Sequence, residues 1–208
     1  ENYAATFDSN LNKVVIAYKD RGNSDYGTAV VGTVSGTTIS FGSPVVFESA
    51  STLNPSITFD SNSNKVVIFY RDGGNSNYGT AIVGTVSGTT ISFGSATVFN
   101  TATSTSIGTT FDNNSNKVVV AYADGGNSSY GTAKVGTVSG TSISFGSAAV
   151  FSNNQVAFHV SSTFDSVLNK VVIAFVSDYT NTYGRAVVGT VSGTSISFGT
   201  PVDFDSAH

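Results

Sequence analysis

Residues 55–99 read PSITFDSNSNKVVIFYRDGGNSNYGTAIVGTVSGTTISFGSATVF, and they contain almost one complete copy of a unit that fills the chain. When residues 6–47 are compared with residues 58–99, 34 of 42 positions are identical. The triplet Thr-Phe-Asp begins at positions 6, 58, 110 and 163, so the copies follow one another at steps of 52, 52 and 53 residues. One unit of this size cannot cover both faces of its own sheet, so it needs neighbouring copies.

Four strands are predicted within each unit, and the copy at 55–99 has them at 56–59, 65–70, 78–86 and 91–99. The first alternates polar and apolar residues, whereas the second is a continuous β-branched and aromatic run, as in a strand covered on both faces. Asp, Asn, Ser and Gly fill the connections, and Gly94 interrupts the fourth strand, where a bulge or bend is expected. Because all these connections are short, the strands should form an antiparallel meander.

Four consecutive meanders favour radial stacking, because it covers both faces of each sheet and leaves only short edges. The sequence therefore predicts an all-β, single-domain β-propeller of four blades, at approximately 1–50, 51–102, 103–155 and 156–208. Each blade is a four-stranded antiparallel meander of about 52 residues. We expect a closed four-bladed monomer, with an eight-bladed ring of two chains as the alternative.

The repeat resembles the sialidase-type, or Asp-box-like, propeller repeat. The resemblance lies in PSITFDSNSNKVVIFYRD and GTVSGTTISFGSATVF, where an inner strand ends in Asp and a Ser-Gly-Thr turn precedes an aromatic residue. It departs from that family at residues 87–93, which offer Thr and Phe in place of the family's Asp and Trp. The GTVSGTSISFGS arrays are also similar to those of phage tail and marine microbial surface proteins. The resemblance implies a propeller fold and says little about function.

Composition narrows the classes of function. Only 11% of the residues are charged, the net charge is −4, and the nine Lys and Arg residues form no basic stripe. These values argue against a nucleic-acid partner, and no segment is long and apolar enough to insert into a membrane. The chain has no Cys, which excludes disulfides and thiolate metal sites. A surface rich in Ser, Thr and Asn predicts an extracellular or virion-surface location.

The loop between the second and third strands is the candidate binding site. By the resemblance, it lies on the same face as the connectors between blades, where propellers bind ligands. Its carboxylates and amides can bond sugar hydroxyls, and its tyrosine can pack on the apolar face of a sugar ring. The candidate residues are Asp20, Asn23, Tyr26, Asp72, Asn75, Tyr78, Asp124, Asn127, Tyr130, Asp178 and Tyr183. In the fourth copy Ser177 replaces the Asp and Tyr179 is added, which predicts three similar sites and one different site.

Other interpretations of these residues remain open. Asp, Asn, Gly and Ser are also the residues that a hairpin loop needs for structure alone. Calcium is a second candidate ligand for the same oxygens, although the alternating acidic ligands of a dedicated calcium loop are missing; no cofactor and no metal site are assigned. The repeated aspartates 8, 60, 112 and 165 are predicted to cap turns. Tyr18, Tyr70, Tyr122 and Phe175 are predicted to pack between blades.

No catalytic residue is predicted, and we expect that the chain is not an enzyme. Arg21, Arg71 and Arg185 occupy different positions within their units and should not converge as in a sialidase. No pair of carboxylates suggests glycosidase chemistry. His159, in the longer fourth connector, is the one distinctive residue that could make a unique contact at the ligand face.

The leading prediction is therefore a non-enzymatic module that recognises a glycan or a cell-surface receptor through repeated, shallow sites, which would gain affinity by multivalency. The alternative is a purely structural repeat domain of a fibre, virion or surface protein. Either would be a monomer or a homodimer.

Overall fold

The protein is all-β in a computed structural model that describes residues 3–177 and 183–205. Eighteen strands and one short 3-10 turn make up its regular structure in those ranges. None of the described helical residues forms an apolar helix long enough to cross a membrane.

The strands follow the fourfold repeat of the sequence. Their bounds are β1 Tyr3–Asp8, β2 Lys13–Asp20, β3 Tyr26–Ser35, β4 Thr38–Phe41, β5 Val45–Asp60, β6 Lys65–Asp72, β7 Tyr78–Ser87, β8 Thr90–Phe93, β9 Thr97–Asp112, β10 Lys117–Asp124, β11 Tyr130–Ser139, β12 Ser142–Phe145, β13 Ala149–Val150, β14 Ala157–Asp165, β15 Lys170–Ser177, β16 Tyr183–Ser192, β17 Ser195–Phe198 and β18 Val202–Asp205. The 3-10 turn is Gly125–Asn127, between β10 and β11.

Each unit is an antiparallel meander, as predicted. In unit 1, β1 pairs with β2 and β2 with β3, and both β4 and the first part of β5 pair with β3. The fourth strand of the meander is thus broken between Phe41 and Val45, at the glycine expected to mark a bend. Strand β5 then continues past Ser51 as the first strand of unit 2, where it pairs with β6.

Strands shared between units produce sheets larger than a single blade. Strands β5 and β9 each serve two units, so β1 to β13 form one hydrogen-bonded sheet of 13 strands, and β14 to β18 form a second sheet of 5 strands. Both sheets are open. The all-β fold and its four antiparallel units are confirmed, but the predicted closure of four blades into one ring is wrong for this structure.

The two sheets separate at the connector that is one residue longer. Where β5 and β9 run straight into the next unit, residues 151–156 form a turn in which Asn153 and Asn154 have φ of 54° and 59°. The carbonyl of Ser152 accepts a hydrogen bond from the Gln155 amide at 3.2 Å within this turn. The extra residue therefore interrupts the strand that would have joined unit 4 to unit 3.

Two sets of turns behave as their residue types predict. Asp8, Asp60, Asp112 and Asp165 each accept, through Oδ1, the amides of the second and third following residues at 2.9–3.0 Å. Gly36, Gly88, Gly140 and Gly193 have φ of 58–60° in two-residue hairpin turns. Turn capping by the aspartates and positive φ at the glycines are both confirmed.

Consecutive units pack face to face through one repeated aromatic contact. Phe47, Phe99 and Phe151 are at most 8% exposed, and each lies 5.0–5.2 Å, between ring centroids, from an aromatic ring of the next unit. Those rings belong to Tyr70, Tyr122 and Phe175. The prediction that these three residues pack between units is confirmed, while Tyr18 is only half-buried and stacks on Tyr3.

The hydroxyls of two of these tyrosines differ in their partners. Tyr70 donates to Glu48 Oε2 at 3.0 Å. The hydroxyl of Tyr122 is buried without a partner among the described residues, because Asn100 replaces Glu48 at that position and donates to Asp124 instead. Burial raises the pKa of both phenols, so each remains protonated and carries a donor that needs an acceptor.

We expect opposite effects from the same substitution at these two sites. Tyr122→Phe removes an unsatisfied buried hydroxyl and should raise the free energy of unfolding by about 1 kcal/mol, whereas Tyr70→Phe removes a made hydrogen bond and should lower it by about 1 kcal/mol. Chemical denaturation of both variants measures the difference. Equal shifts in the two variants would show that the hydroxyl contacts do not decide the outcome.

Candidate functional site

One edge of the sheets, called the upper edge here, gathers the loops that follow each second strand together with the connectors between units. The register places Thr52 opposite Asp72 at this edge, and Asp60 opposite Lys65 at the other, lower edge. In each of the three junctions a loop carbonyl accepts a connector amide at 3.0–3.3 Å: Asp25 from Thr52, Asn77 from Ser104 and Ser129 from Ala157. The candidate loops and the connectors therefore share one surface.

The aspartates predicted to bind ligand are engaged in their own loops. Asp20, Asp72 and Asp124 each accept, through Oδ1, the amide two residues ahead at 2.9–3.0 Å. Asp72 is also 7% exposed, and Asp124 accepts a second bond from Asn100 at 2.9 Å. These contacts make the aspartates primarily loop-forming residues.

The remaining loop candidates divide into exposed amides and half-buried rings. Asn23, Asn75 and Asn127 are exposed, and the tyrosines that open each third strand (Tyr26, Tyr78, Tyr130 and Tyr183) are half-buried. The Arg185 guanidinium lies 5.8 Å from the centroid of the Tyr183 ring, which makes unit 4 different from the others. Asp178 lies outside the described residues. A ligand-binding role for this set stays a prediction.

Glycines in the loops of units 2 and 3 make room for the preceding connector. A Cβ on Gly73 would lie 2.6 Å from the Ser51 carbonyl oxygen, and one on Gly74 would lie 2.5 Å from the Ala50 Cβ. In unit 3 the equivalent distances are 2.8 Å from a Cβ on Gly125 to the Thr103 carbonyl oxygen and 2.8 Å from one on Gly126 to the Ala102 Cβ. Close packing, rather than ligand chemistry, therefore explains the Gly-Gly pair.

A cavity of about 500 Å³ opens between the first strands of all four units. Its walls are residues 3–5 of β1, 54–57 of β5, 106–109 of β9 and 159–162 of β14. In β5, β9 and β14 these residues span the middle of the segment that runs from the upper to the lower edge. This volume falls in the range of small-molecule sites. The cavity forms only because four separate copies of the same strand converge, so no single unit contains it.

Three equivalent residues at the upper end of the cavity, called its mouth here, have left-handed backbones. Asn54, Ser106 and His159 have φ of 50°, 50° and 49°, and each lies at an irregularity in the pairing of its strand. Non-glycine residues adopt this conformation at a cost of about 1–2 kcal/mol, and such residues concentrate at ligand sites. The Ser106 hydroxyl accepts the His159 amide at 3.3 Å, linking two of them.

The cavity wall is polar without formal charge. Of the described residues that line it, none is Asp, Glu, Lys or Arg; the polar groups are hydroxyls, one amide and the His159 imidazole. Ser56 and Thr109 share a hydrogen bond of 2.9 Å, and the buried Ser162 hydroxyl has no partner among the described residues. Such a surface can donate to and accept from neutral hydroxyl groups.

The residues at this mouth were largely missed by sequence reasoning. His159 was identified only as a distinctive residue of the fourth connector, and Asn54 and Ser106 were not identified at all. The available signal was positional: the three occupy the same place in successive units, and Asn54 immediately precedes a proline. Pairing register, which produces the irregularity, is not visible in the residues themselves.

Among residues 3–177 and 183–205, no group of three or more His, Asp or Glu residues could hold a metal ion. Of the three arginines, Arg185 pairs with Asp203 at 2.6 Å and also contacts Gln155. Arg71 lies in β6 opposite Leu53, and Arg21 is exposed on its loop.

Comparison with known proteins identifies related folds but no family. No protein-family model and no curated protein matches the chain.

Two solved structures share the fold at low sequence identity. A triple arginine-to-alanine mutant of AofleA from Arthrobotrys oligospora superposes with a TM-score of 0.59 at 9% identity, over 97% of this chain and 58% of that chain. An exo-beta-1,3-galactanase from Phanerochaete chrysosporium, solved with beta-1,3-galactotriose, superposes with a TM-score of 0.56 at 10% identity, over 98% of this chain and 54% of that chain. This chain therefore spans a little over half of each.

Proposed function

We propose that this chain is a non-enzymatic glycan-binding module whose ligand binds at the upper edge of the sheets. The observation that carries the proposal is the cavity between the four first strands, which is concave, polar and uncharged. A concave site with a few convergent polar groups is the usual form of a small-molecule site.

The lining favours a neutral sugar over an ionic ligand. A carboxylate or phosphate would need a cation or several converging amides, and the wall supplies hydroxyls, the Asn54 amide and the His159 imidazole. A saccharide offers hydroxyls that both donate and accept, which matches groups of the same kind. The shared fold with a chain solved with galactotriose makes galactosides a reasonable first class of ligand to test.

The three similar loops lie at the upper edge of the sheets, beside the connectors, and form the second part of the proposal. Asn23, Asn75 and Asn127 present exposed amides at equivalent places, and each loop is held to its connector by a backbone hydrogen bond. Weak contacts repeated in this way would add affinity for a branched or clustered glycan by raising its effective concentration.

The experiment uses two triple variants and a multivalent glycan array, followed by calorimetry with any sugar found. Changing Asn54, Ser106 and His159 to glycine removes three lining side chains and also relieves their left-handed backbones, so stability should be kept or raised. We expect this variant to lose binding at least tenfold. Changing Asn23, Asn75 and Asn127 to alanine should reduce multivalent binding and leave monovalent binding intact.

The outcomes distinguish binding in the cavity from binding at the loops. Loss of monovalent binding in the asparagine variant alone would move the ligand from the cavity to the loops. Unchanged binding in both variants would place it elsewhere on the surface. The melting temperature of each variant serves as the control for folding.

A purely structural repeat domain is the second candidate function. It is favoured by the loop aspartates, whose Oδ1 atoms are all used to hold their own turns. This alternative predicts that the wild-type chain binds nothing on the array, including when it is displayed in many copies.

A further inference from the structure

Each unit has two different faces, and inside the chain they always meet in the same way. We call the face that carries Phe47, Phe99 or Phe151 the trailing face of its unit, and the face that carries Tyr70, Tyr122 or Phe175 the leading face of its unit. The trailing face of one unit packs on the leading face of the next, and these contacts form the three apolar clusters of the core. In the first junction, Phe47 of the trailing face lies 5.2 Å from Tyr70 and 5.7 Å from Phe93 of the leading face, between ring centroids. The same pair of contacts recurs for Phe99 and for Phe151.

Because the sheets are open, one face of each kind is left uncovered. On the leading face of unit 1, Phe7 is 52% and Phe41 is 51% exposed, whereas Phe59, the equivalent of Phe7 in unit 2, is 9% exposed. On the trailing face of unit 4, Phe204 is 67% exposed, against 2% for Phe99.

The two uncovered faces are the two halves of a junction that the chain already makes. The trailing face of unit 4 repeats the buried residues of the trailing face of unit 1, with Ser161 in place of the partly buried Ala4. The leading face of unit 1 repeats that of unit 2 except that Ala5 stands for Ile57 and Val30 for Ile82. The trailing residues are Val172, Ala174, Ala186, Val188 and Phe204, matching Val15, Ala17, Ala29, Val31 and Phe47; the leading residues include Phe7, Tyr18, Val34, Ile39 and Phe41, matching Phe59, Tyr70, Val86, Ile91 and Phe93.

We propose that the trailing face of unit 4 docks on the leading face of unit 1 of a second copy of this chain, head to tail. Two such contacts close a ring of two copies, so that no face of either kind stays exposed. The occupant is a second copy because the leading face of this chain carries the side chains with which the same trailing residues already pack at the first junction.

A polar contact fits the same geometry. Glu48 follows Phe47 and accepts the Tyr70 hydroxyl at 3.0 Å across the first junction. Asp205 follows Phe204 and pairs with Gly184 as Glu48 pairs with Gly27. Docking would therefore bring Asp205 of one copy to Tyr18 of the other, and Phe204 to the rings of Tyr18 and Phe41.

A substitution at Gly199 should affect the docking of a second copy without affecting the folding of one chain. A Cβ on Gly42, Gly94 or Gly146 would lie 1.9–2.0 Å from a threonine carbonyl oxygen of the next unit, so these junctions require glycine. Gly199 holds the same position in unit 4, where a Cβ would approach only the Val188 oxygen, at 3.9 Å. Gly199→Ala should therefore be harmless within one chain and should obstruct the docking of a second.

The test is the mass of the 208-residue chain in solution, measured by light scattering at about 50 µM. We expect twice the 21.3 kDa of one chain for the wild type, and one chain for Gly199→Ala with an unchanged melting temperature at low concentration. The control changes Val167 to Asn and Leu168 to Ser in the lower-edge turn, which removes apolar residues that are 86% and 68% exposed. This control should keep the doubled mass.

Mixing variants tests the head-to-tail orientation. Gly199→Ala alters only the trailing face and Phe41→Ser only the leading face, so each alone should be a single chain, while an equimolar mixture retains one intact junction and should form a pair. A monomeric wild type would overturn the proposal and indicate that further units of the same repeat cover these faces. A mass of three or more chains would overturn the two-copy ring, and a mixture that stays monomeric at about 100 µM would overturn the head-to-tail contact.

Discussion

Replacing Gly36, Gly88, Gly140 and Gly193 together by valine is expected to lower the free energy of unfolding by at least about 4 kcal/mol. Each glycine has a φ of 58–60°, and a side chain in that conformation costs about 1 kcal/mol or more per site. A Cβ there would meet no atom within 4 Å, so the loss would come from the backbone alone. The measurement is chemical denaturation, with a matching fall in melting temperature.

The neighbouring threonines supply a matched control. Thr37, Thr89, Thr141 and Thr194 occupy the second position of the same turns and do not have positive φ. Changing these four threonines to valine places valine in the same turns at positions that do not have positive φ. Because valine and threonine have nearly the same shape, this variant should lose little stability. Comparable losses in both variants would contradict the assignment of the strain to the glycines.

Phe99→Ala is expected to lower the free energy of unfolding by about 4 kcal/mol, the usual range for a buried phenylalanine. Phe99 is 2% exposed and lies at the centre of the second junction, with ring centroids 5.7 Å from Phe69, 5.0 Å from Tyr122 and 5.9 Å from Phe145. The cavity left by its removal would be bounded by strands of two units, which limits how far it can collapse.

The adjacent Val98 provides the comparison for that variant. Val98 is 39% exposed on the other side of the same strand, so Val98→Ala should cost less than about 1 kcal/mol. Denaturation of both variants under the same conditions measures the contrast. If Phe99→Ala lost no more stability than Val98→Ala, the junctions between units would not be the source of the chain's stability.

Local features of the fold and of the loops could be predicted because they depend on residues close in sequence. The strand set follows from side-chain alternation and from β-branched runs. Aspartates 8, 60, 112 and 165 could be assigned to turns because an Asx side chain bonds the amides that follow it. The loop after each second strand was placed beside the connectors on the strength of a family resemblance, and hydrogen bonds such as that from Thr52 to Asp25 put it there.

The sequence by itself determined the repeat, the strands and the turns, and only the tertiary structure decided closure and the position of the cavity. The angle between units depends on how Phe47, Phe99 and Phe151 fit against the next sheet, and small rotations at three junctions accumulate along the chain. No sequence pattern within one unit determines the total rotation over the three junctions. The sequence therefore predicts a closed ring of four units, whereas the structure has two open sheets. The backbones of Asn54, Ser106 and His159 likewise follow from pairing register with a neighbouring strand, so the mouth of the cavity became visible only when the strands were placed together.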